Sequence, residues 1–185
     1  METATGRVTL TTIPGVPRSL VQFAQSPDGR TMVVGGELSN SVLVFDLTRP
    51  PPFVPVKEIA LAGKPWDPMF SRDGKTVYVT LFGADAVAAV NVRTGRVTRT
   101  FTGNMAQPYS VIRRADAKYL FVVNQNTGAV KPGASAHDNM PGMAGMPDMK
   151  VTDGWLSVIA VKNGKTVKTL MLGRGPTGAG AAGAR

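Results

Sequence analysis

Four methionines at a strict spacing of three, Met140, Met143, Met146 and Met149, stand beside the only histidine of the chain, His137. Pro141 and Pro147 favour polyproline II over this stretch. In that helix three residues complete one turn, so all four thioethers are expected on one side of the segment. Thioethers are soft donors that select Cu(I) and need no deprotonation, and imidazole is an acceptable added ligand. Copper is thus the one cofactor that the residue types suggest. Methionine is equally an adaptable hydrophobe, so the same stripe can pack over its own domain or against a partner. A Cu(I) titration against a competing chelator, repeated on a chain with all four methionines changed to leucine, separates the two readings.

Other site chemistries are poorly served. The stripe resembles the methionine-rich segments of periplasmic copper-handling proteins, but the chain has no cysteine. That removes disulfides, zinc-thiolate sites, iron–sulfur clusters and a cysteine nucleophile together. A serine triad lacks support, since the single histidine lies in an insertion and no sharp nucleophile turn occurs. Gly173-Arg174-Gly175-Pro176-Thr177-Gly178 is glycine-rich yet lacks the lysine and following helix of a phosphate cradle. Twelve acidic residues form no convincing acid/base pair.

The elements that must position any site follow from a repeat. Ser26-Pro27-Asp28-Gly29-Arg30-Thr31 returns as Ser71-Arg72-Asp73-Gly74-Lys75-Thr76 at an offset of 45 and as Arg114-Ala115-Asp116-Ala117-Lys118-Tyr119 after a further 43. Periods of this length are those of propeller blades. Each copy is an Asp-Gly type turn followed by a short apolar strand: Met32 to Val34, Val77 to Leu81 and Leu120 to Val123. Ala117 replaces the turn glycine in the third copy, which predicts a different or strained turn there. Second strands are expected at Val42 to Leu47, Val87 to Val92 and Leu156 to Val161, and outer strands at Val97 to Phe101 and Thr166 to Leu170. Arg49-Pro50-Pro51-Pro52 stretches the corresponding turn of the first blade, because proline removes the amides that pairing needs. Glycine (21) and proline (14) are abundant, as a turn-rich chain requires.

A proline opens the innermost strand of each unit: Pro17-Arg18, Pro65-Trp66-Asp67, Pro108-Tyr109 and Pro176-Thr177. Residues just after these prolines are expected to line a central channel. Arg18, Trp66, Asp67 and Tyr109 are therefore the candidate ligand-binding residues, with no catalytic residue nominated. The alternative for Trp66 and Tyr109 is packing between blades.

Tyr78-Val79-Thr80-Leu81 and Phe121-Val122-Val123-Asn124 resemble the signature of the YVTN family of β-propeller repeats, matching it at three and at two positions. The resemblance covers about residues 8 to 178. It implies an all-β fold, a partial β-propeller of about four blades with four-stranded antiparallel blades. It also implies a periplasmic or extracellular location, since surface-layer, periplasmic and secreted propellers belong to this family. More distantly, the chain is similar to the propellers of cytochrome d1, nitrous oxide reductase, methylamine dehydrogenase heavy chain and lactonases. Fold alone does not choose among these functions.

Domain organisation is read as one partial propeller over residues 1–178 and a Gly/Ala tail over 179–185 expected to be disordered. A long Met-rich insertion at about 127–153 interrupts the third blade; Asn124 to Leu156 spans 32 positions where Leu81 to Val87 spans 6. The count is the last strand of one blade (Val8 to Ile13), three blades and the opening of another at Pro176. Such an array exposes apolar flanks, so missing blades of a longer chain or a protein partner are expected to cover the open edges. No apolar run approaches a membrane span, and Met1 to Thr5 lacks the regions of a secretion signal, so any signal is expected to have been removed or to lie outside this sequence. The net charge of +9 comes from Lys and Arg scattered over turns, and aromatics are only 6%, too few for base stacking. No nucleic-acid partner is expected. The expected function is a non-catalytic binding or scaffolding module. Alternatives are a copper-binding protein using the methionine-rich loop and a fragment of a periplasmic redox enzyme propeller.

Overall fold

The computed structural model describes residues 4–178 apart from 9, 11, 115 and 130–148. Turns of one build start the second strand of each four-stranded sheet, Asp-Gly in the first two and Asp-Ala in the third. In the first, the Ser26 hydroxyl donates to Asp28 Oδ1 (2.6 Å), which also accepts from the Arg30 N–H (3.1 Å), while the Thr31 N–H donates to Ser26 Oγ (2.9 Å). Ser71, Asp73, Lys75 and Thr76 repeat those bonds at the same three distances. The serine hydroxyls and the following amides hold Asp28 and Asp73 below the ordinary carboxylate range. Gly29 and Gly74 sit at φ of +72° and +69°. Ala117 takes the same left-handed conformation at φ +58°, so the third turn keeps the geometry at a cost in backbone strain.

Among the described residues fourteen strands follow from this punctuation. Blade 1 consists of β1 (Leu20–Gln25), β2 (Thr31–Gly36), β3 (Ser41–Asp46) and β4 (Pro55–Ala60), hydrogen-bonded in chain order. Blade 2 repeats this with β5 (Pro65–Phe70), β6 (Thr76–Leu81), β7 (Ala86–Asn91) and β8 (Arg96–Phe101). In blade 3, β9 (Pro108–Arg113) and β10 (Tyr119–Asn124) are followed by the small hairpin β11 (Thr127–Ala129) and β12 (Met149–Val151), after which β13 (Asp153–Ala160) and β14 (Thr166–Arg174) complete the sheet. All pairings are antiparallel. The chain is all-β: a partial β-propeller of four-stranded antiparallel blades, three of them complete.

The core lies between blades rather than inside one. Val33, Val42, Val44, Ile59 and Leu61 of blade 1 meet Phe70, Val77, Val79, Ala88 and Val90 of blade 2. The opposite face of blade 2, with Tyr78, Val87, Ala89 and Phe101, meets Val111, Leu120, Val122 and Ile159 of blade 3. Middle strands are thereby buried on both faces, which is why β6 and β7 read as continuous apolar runs instead of alternating ones.

Two expected pieces of further blades differ from strands. None of the described residues between Val8 and Ile13 belongs to a sheet. No strand among the described residues pairs with this stretch, and an unpaired strand does not hold its conformation in water. Ile13 nonetheless packs on the free face of blade 1, against Val34, Leu43 and Phe45. At the other end Pro176 opens no strand, but Thr177 and Gly178 run beside the inner strands of the complete blades. No helix among the described residues is long and apolar enough to cross a membrane.

Candidate functional site

Each inner strand carries a one-residue bulge at the same place. Leu20 pairs with Gly36 but Phe23 with Val34, Pro65 with Leu81 but Pro68 with Val79, and Pro108 with Asn124 but Ser110 with Val123. Bulges re-aim the side chains they contain. The residues so presented are Val21 and Gln22, Trp66 and Asp67, and Tyr109. Left-handed residues precede all three strands: Ser19, Lys64 and Gln107, at φ of +46°, +54° and +49°. In two cases the turn of the preceding blade holds that residue's amide, with the Lys64 N–H donating to Asn40 Oδ1 (2.8 Å) and the Gln107 N–H to Asp85 Oδ1 (2.7 Å).

These bulged strands surround a cavity of about 350 Å³. It is lined by Gln22 and Phe23 of β1, Asp67 and Met69 of β5, and Tyr109 and Ile112 of β9, with Thr177 beside them. Asp67 is the only carboxylate among its lining residues. Its Oδ2 accepts from the Val111 N–H (2.9 Å), the Ser110 hydroxyl also donates to it, and its own N–H donates to Thr80 Oγ1 (2.9 Å). Burial pushes the carboxyl above the ordinary aspartate value, and the Val111 and Ser110 hydrogen bonds offset part of that rise. Asp67 thus ties blade 2 to blade 3 and also faces the channel.

Trp66 and Tyr109 turn toward each other across the same two blades, with ring centroids 5.1 Å apart. Phe82, just past β6, completes a trio at 5.5 Å from Trp66 and 6.4 Å from Tyr109. The indole N–H of Trp66 is buried and has no acceptor among the described residues. Both rings pack between blades 2 and 3, and Tyr109 is also among the residues that line the cavity.

Arg18 stands apart. It donates to the carbonyls of Pro14 (2.9 Å) and Val16 (3.2 Å) and forms an ion pair with Glu58 at 3.0 Å. Glu58 in turn accepts from the Ser41 hydroxyl (2.6 Å), and its carboxyl is held below the usual range by these two donors, Arg18 first. The guanidinium therefore staples the stretch before β1 onto blade 1 rather than facing the cavity. Pro17 misleads because it lies three positions upstream of the true counterpart of Pro65, which is Leu20. The 45-residue offset itself carries the correct signal: it aligns Gln22 with Asp67 and Val21 with Trp66, and so points to Gln22, a lining residue that the prolines miss.

His137, Met140, Met143 and Met146 lie outside the described residues, as does the tail 179–185. Met149 opens β12, where its backbone pairs with Ala129. The β11–β12 pairing thus joins the two ends of the insertion. Among the described residues no group of three or more His, Asp or Glu side chains is placed to hold a metal ion.

No protein-family model and no curated protein matches the sequence. By shape, 692 chains of solved structures match, a breadth that speaks for a common architecture and not for one activity. One of them, described as Kuenenia stuttgartiensis hydrazine synthase, aligns with a TM-score of 0.65 and 22% identity over 83% of this chain. The aligned region is 37% of that neighbour's chain. At this identity the likeness carries the fold alone.

Proposed function

We propose that this chain is a non-catalytic binding module, exported in its natural setting, whose inner-strand cavity takes one small group of a ligand or of a peptide. The observation that carries the reading is the state of Asp67. Paired acid–base chemistry uses a second carboxylate or a histidine beside the first. Asp67 has neither among the lining residues, and its Val111 and Ser110 hydrogen bonds fix the orientation of the carboxylate. What the cavity offers is recognition: an apolar wall of Phe23, Met69, Tyr109 and Ile112 with one carboxylate. Its volume is at the low end of small-ligand sites, which start at roughly 300 Å³. A carboxylate flanked by aromatic rings favours a ligand with an amine or ammonium end. The export reading rests on the YVTN resemblance.

A thermal-shift titration with a series of short primary alkylamines tests the cavity. Stabilisation that grows with chain length in the parent chain and is lost in Asp67→Asn supports the reading. Absence of stabilisation by every amine, or an equal effect in the variant, refutes it.

A further inference from the structure

Connections alternate between the two ends of an antiparallel sheet. The β1–β2 and β3–β4 turns of blade 1 therefore share one end, and the β2–β3 turn and the entry to β5 share the other. Blades 2 and 3 repeat this order, and neighbouring blades keep like ends together. At the first end, a Cβ on Gly74 would lie 3.6 Å from Pro27, so the turns before β6 and β2 are adjacent. Lys57 Nζ of β4 donates to the carbonyls of Val92 (3.3 Å) and Arg93 (2.6 Å) in the β7–β8 turn, and Arg99 Nη1 of β8 to those of Val161 (2.7 Å) and Lys162 (3.0 Å) in the β13–β14 turn.

The repeat makes this end cationic. Two places after the aspartate of each first turn stands a cation: Arg30, Lys75 and Lys118. Arg93 and Arg96 bracket the β7–β8 turn, and Lys162 and Lys165 the β13–β14 turn. All of these residues are exposed, and none forms an ion pair among the described residues. The carboxylates at the same end, Asp28, Asp46, Asp73 and Asp116, are fewer, and each accepts from an amide two places on in its own turn, at 3.0 or 3.1 Å. At the opposite end Arg18 and Lys64 are ion-paired with Glu58 (3.0 Å) and Glu37 (3.1 Å), Asp85 adds a carboxylate, and Asp153 stands opposite Arg174 in the β13–β14 register. The excess of positive charge is thus a property of one end.

That end also carries an apolar projection. Pro50, Pro51 and Pro52 lengthen the β3–β4 connection, and Phe53 and Val54 on its return are 36% and 53% exposed. The Leu47 N–H donates to the Arg30 carbonyl (2.8 Å), which sets this connection beside the β1–β2 turn. Tyr119, the ring that opens β10 at this end, is half-buried with the Arg114 guanidinium over it at 5.5 Å.

We propose that this end of the molecule rests on a bilayer surface rich in anionic lipid, its turn cations at the headgroups and Phe53 and Val54 in the interfacial layer. The negative potential of such a surface attracts basic segments within a Debye length, and a small apolar insertion adds to that attraction. A polynucleotide would meet the same cations but offers Phe53 and Val54 no apolar layer to enter, and the rings on which its bases could stack are few here. The proposal does not depend on what the cavity binds.

Co-sedimentation of the intact chain with vesicles tests it, comparing phosphatidylcholine alone with phosphatidylcholine mixed with phosphatidylglycerol. Binding to the anionic vesicles is expected to be at least about tenfold tighter, and to weaken as salt is raised. Lys75→Ala with Lys118→Ala should weaken it at least about threefold, whereas Lys64→Ala with Lys168→Ala, which removes the same charge elsewhere, should change it less than about twofold. Phe53→Ser with Val54→Ser should also weaken it at least about threefold. Circular dichroism confirms that these variants, all at exposed positions, keep their strands. Equal losses from the two lysine pairs overturn the proposal, since net charge alone would then be acting. Equal binding to both kinds of vesicle overturns it too, as does indifference to the Phe53 and Val54 changes. So does binding to a single-stranded oligonucleotide with none to either vesicle.

Discussion

Asp67 illustrates how one side chain serves both architecture and recognition. Its carboxylate joins β5 to the Val111 amide of β9, so removing it outright would disturb the contact between blades 2 and 3. Burial nevertheless penalises its charge, and the folded-state pKa is raised above the ordinary 3.8. A raised carboxyl pKa contributes stability that is present while the group is protonated in both states and is lost as pH rises through the folded value. Asp67→Asn keeps the shape and an acceptor for Val111 but carries no charge. Urea unfolding should therefore place its midpoint above that of the parent at neutral pH, with the difference shrinking as pH falls toward the ordinary aspartate range. A variant less stable than the parent at neutral pH would mean that the hydrogen bonds to the carboxylate outweigh the burial penalty. That an aspartate follows Pro65 was visible in the sequence. Its attachment to a blade 44 residues away was not, because a hydrogen bond across blades leaves no mark in local spacing.

At the level of elements, the bulged inner strand is the recurring device. It lets the backbone of one blade approach the next closely, and Gly35 of β2 is where this is tightest. A Cβ added there would come within 2.5 Å of the Trp66 carbonyl and 3.0 Å of that of Pro65, both backbone atoms that cannot swing aside. Gly35→Ala should cost about 1–3 kcal/mol through overpacking, and thermal unfolding read by circular dichroism checks it. A change within error would show that β2 and β5 can separate freely. Strand positions themselves were largely legible: the Asp-Gly turns and apolar runs place β2, β6 and β10 to within one or two residues. The bulges and the true start of β1 were not, since Pro17 imitates Pro65 and Pro108 in sequence while the register assigns that role to Leu20. Stretch 8–13 reads as an outer strand by composition, yet none of its described residues pairs with a neighbouring strand, and pairing is what decides strand formation.

Across the whole molecule, blade 2 is the one blade with a complete sheet packed on each face. Among the described residues no further sheet packs on the outward faces of blades 1 and 3. In a repeat array stability is a sum of blade and nearest-neighbour terms, so the central unit opens least often. Native-state hydrogen exchange should rank β6 and β7 as the most protected strands and the outermost strand β14 of blade 3 among the least. Equal protection of β14 and β7 would refute this ranking.

The sequence by itself determined the period, the turn chemistry and the alternation of short strands, and through them the blade architecture, because glycine, proline and aspartate act on the backbone within a few residues of where they stand. Tertiary structure alone decided which side chains meet: that Asp67 reaches Val111, that Trp66, Phe82 and Tyr109 form one aromatic trio, that Arg18 is drawn to Glu58, and that Lys57 and Arg99 reach the backbone carbonyls of the next blade's turn. Those contacts join residues from different strands and mostly from different blades, and their geometry depends on bulge, register and twist accumulated across whole sheets, quantities that no local run of residues encodes.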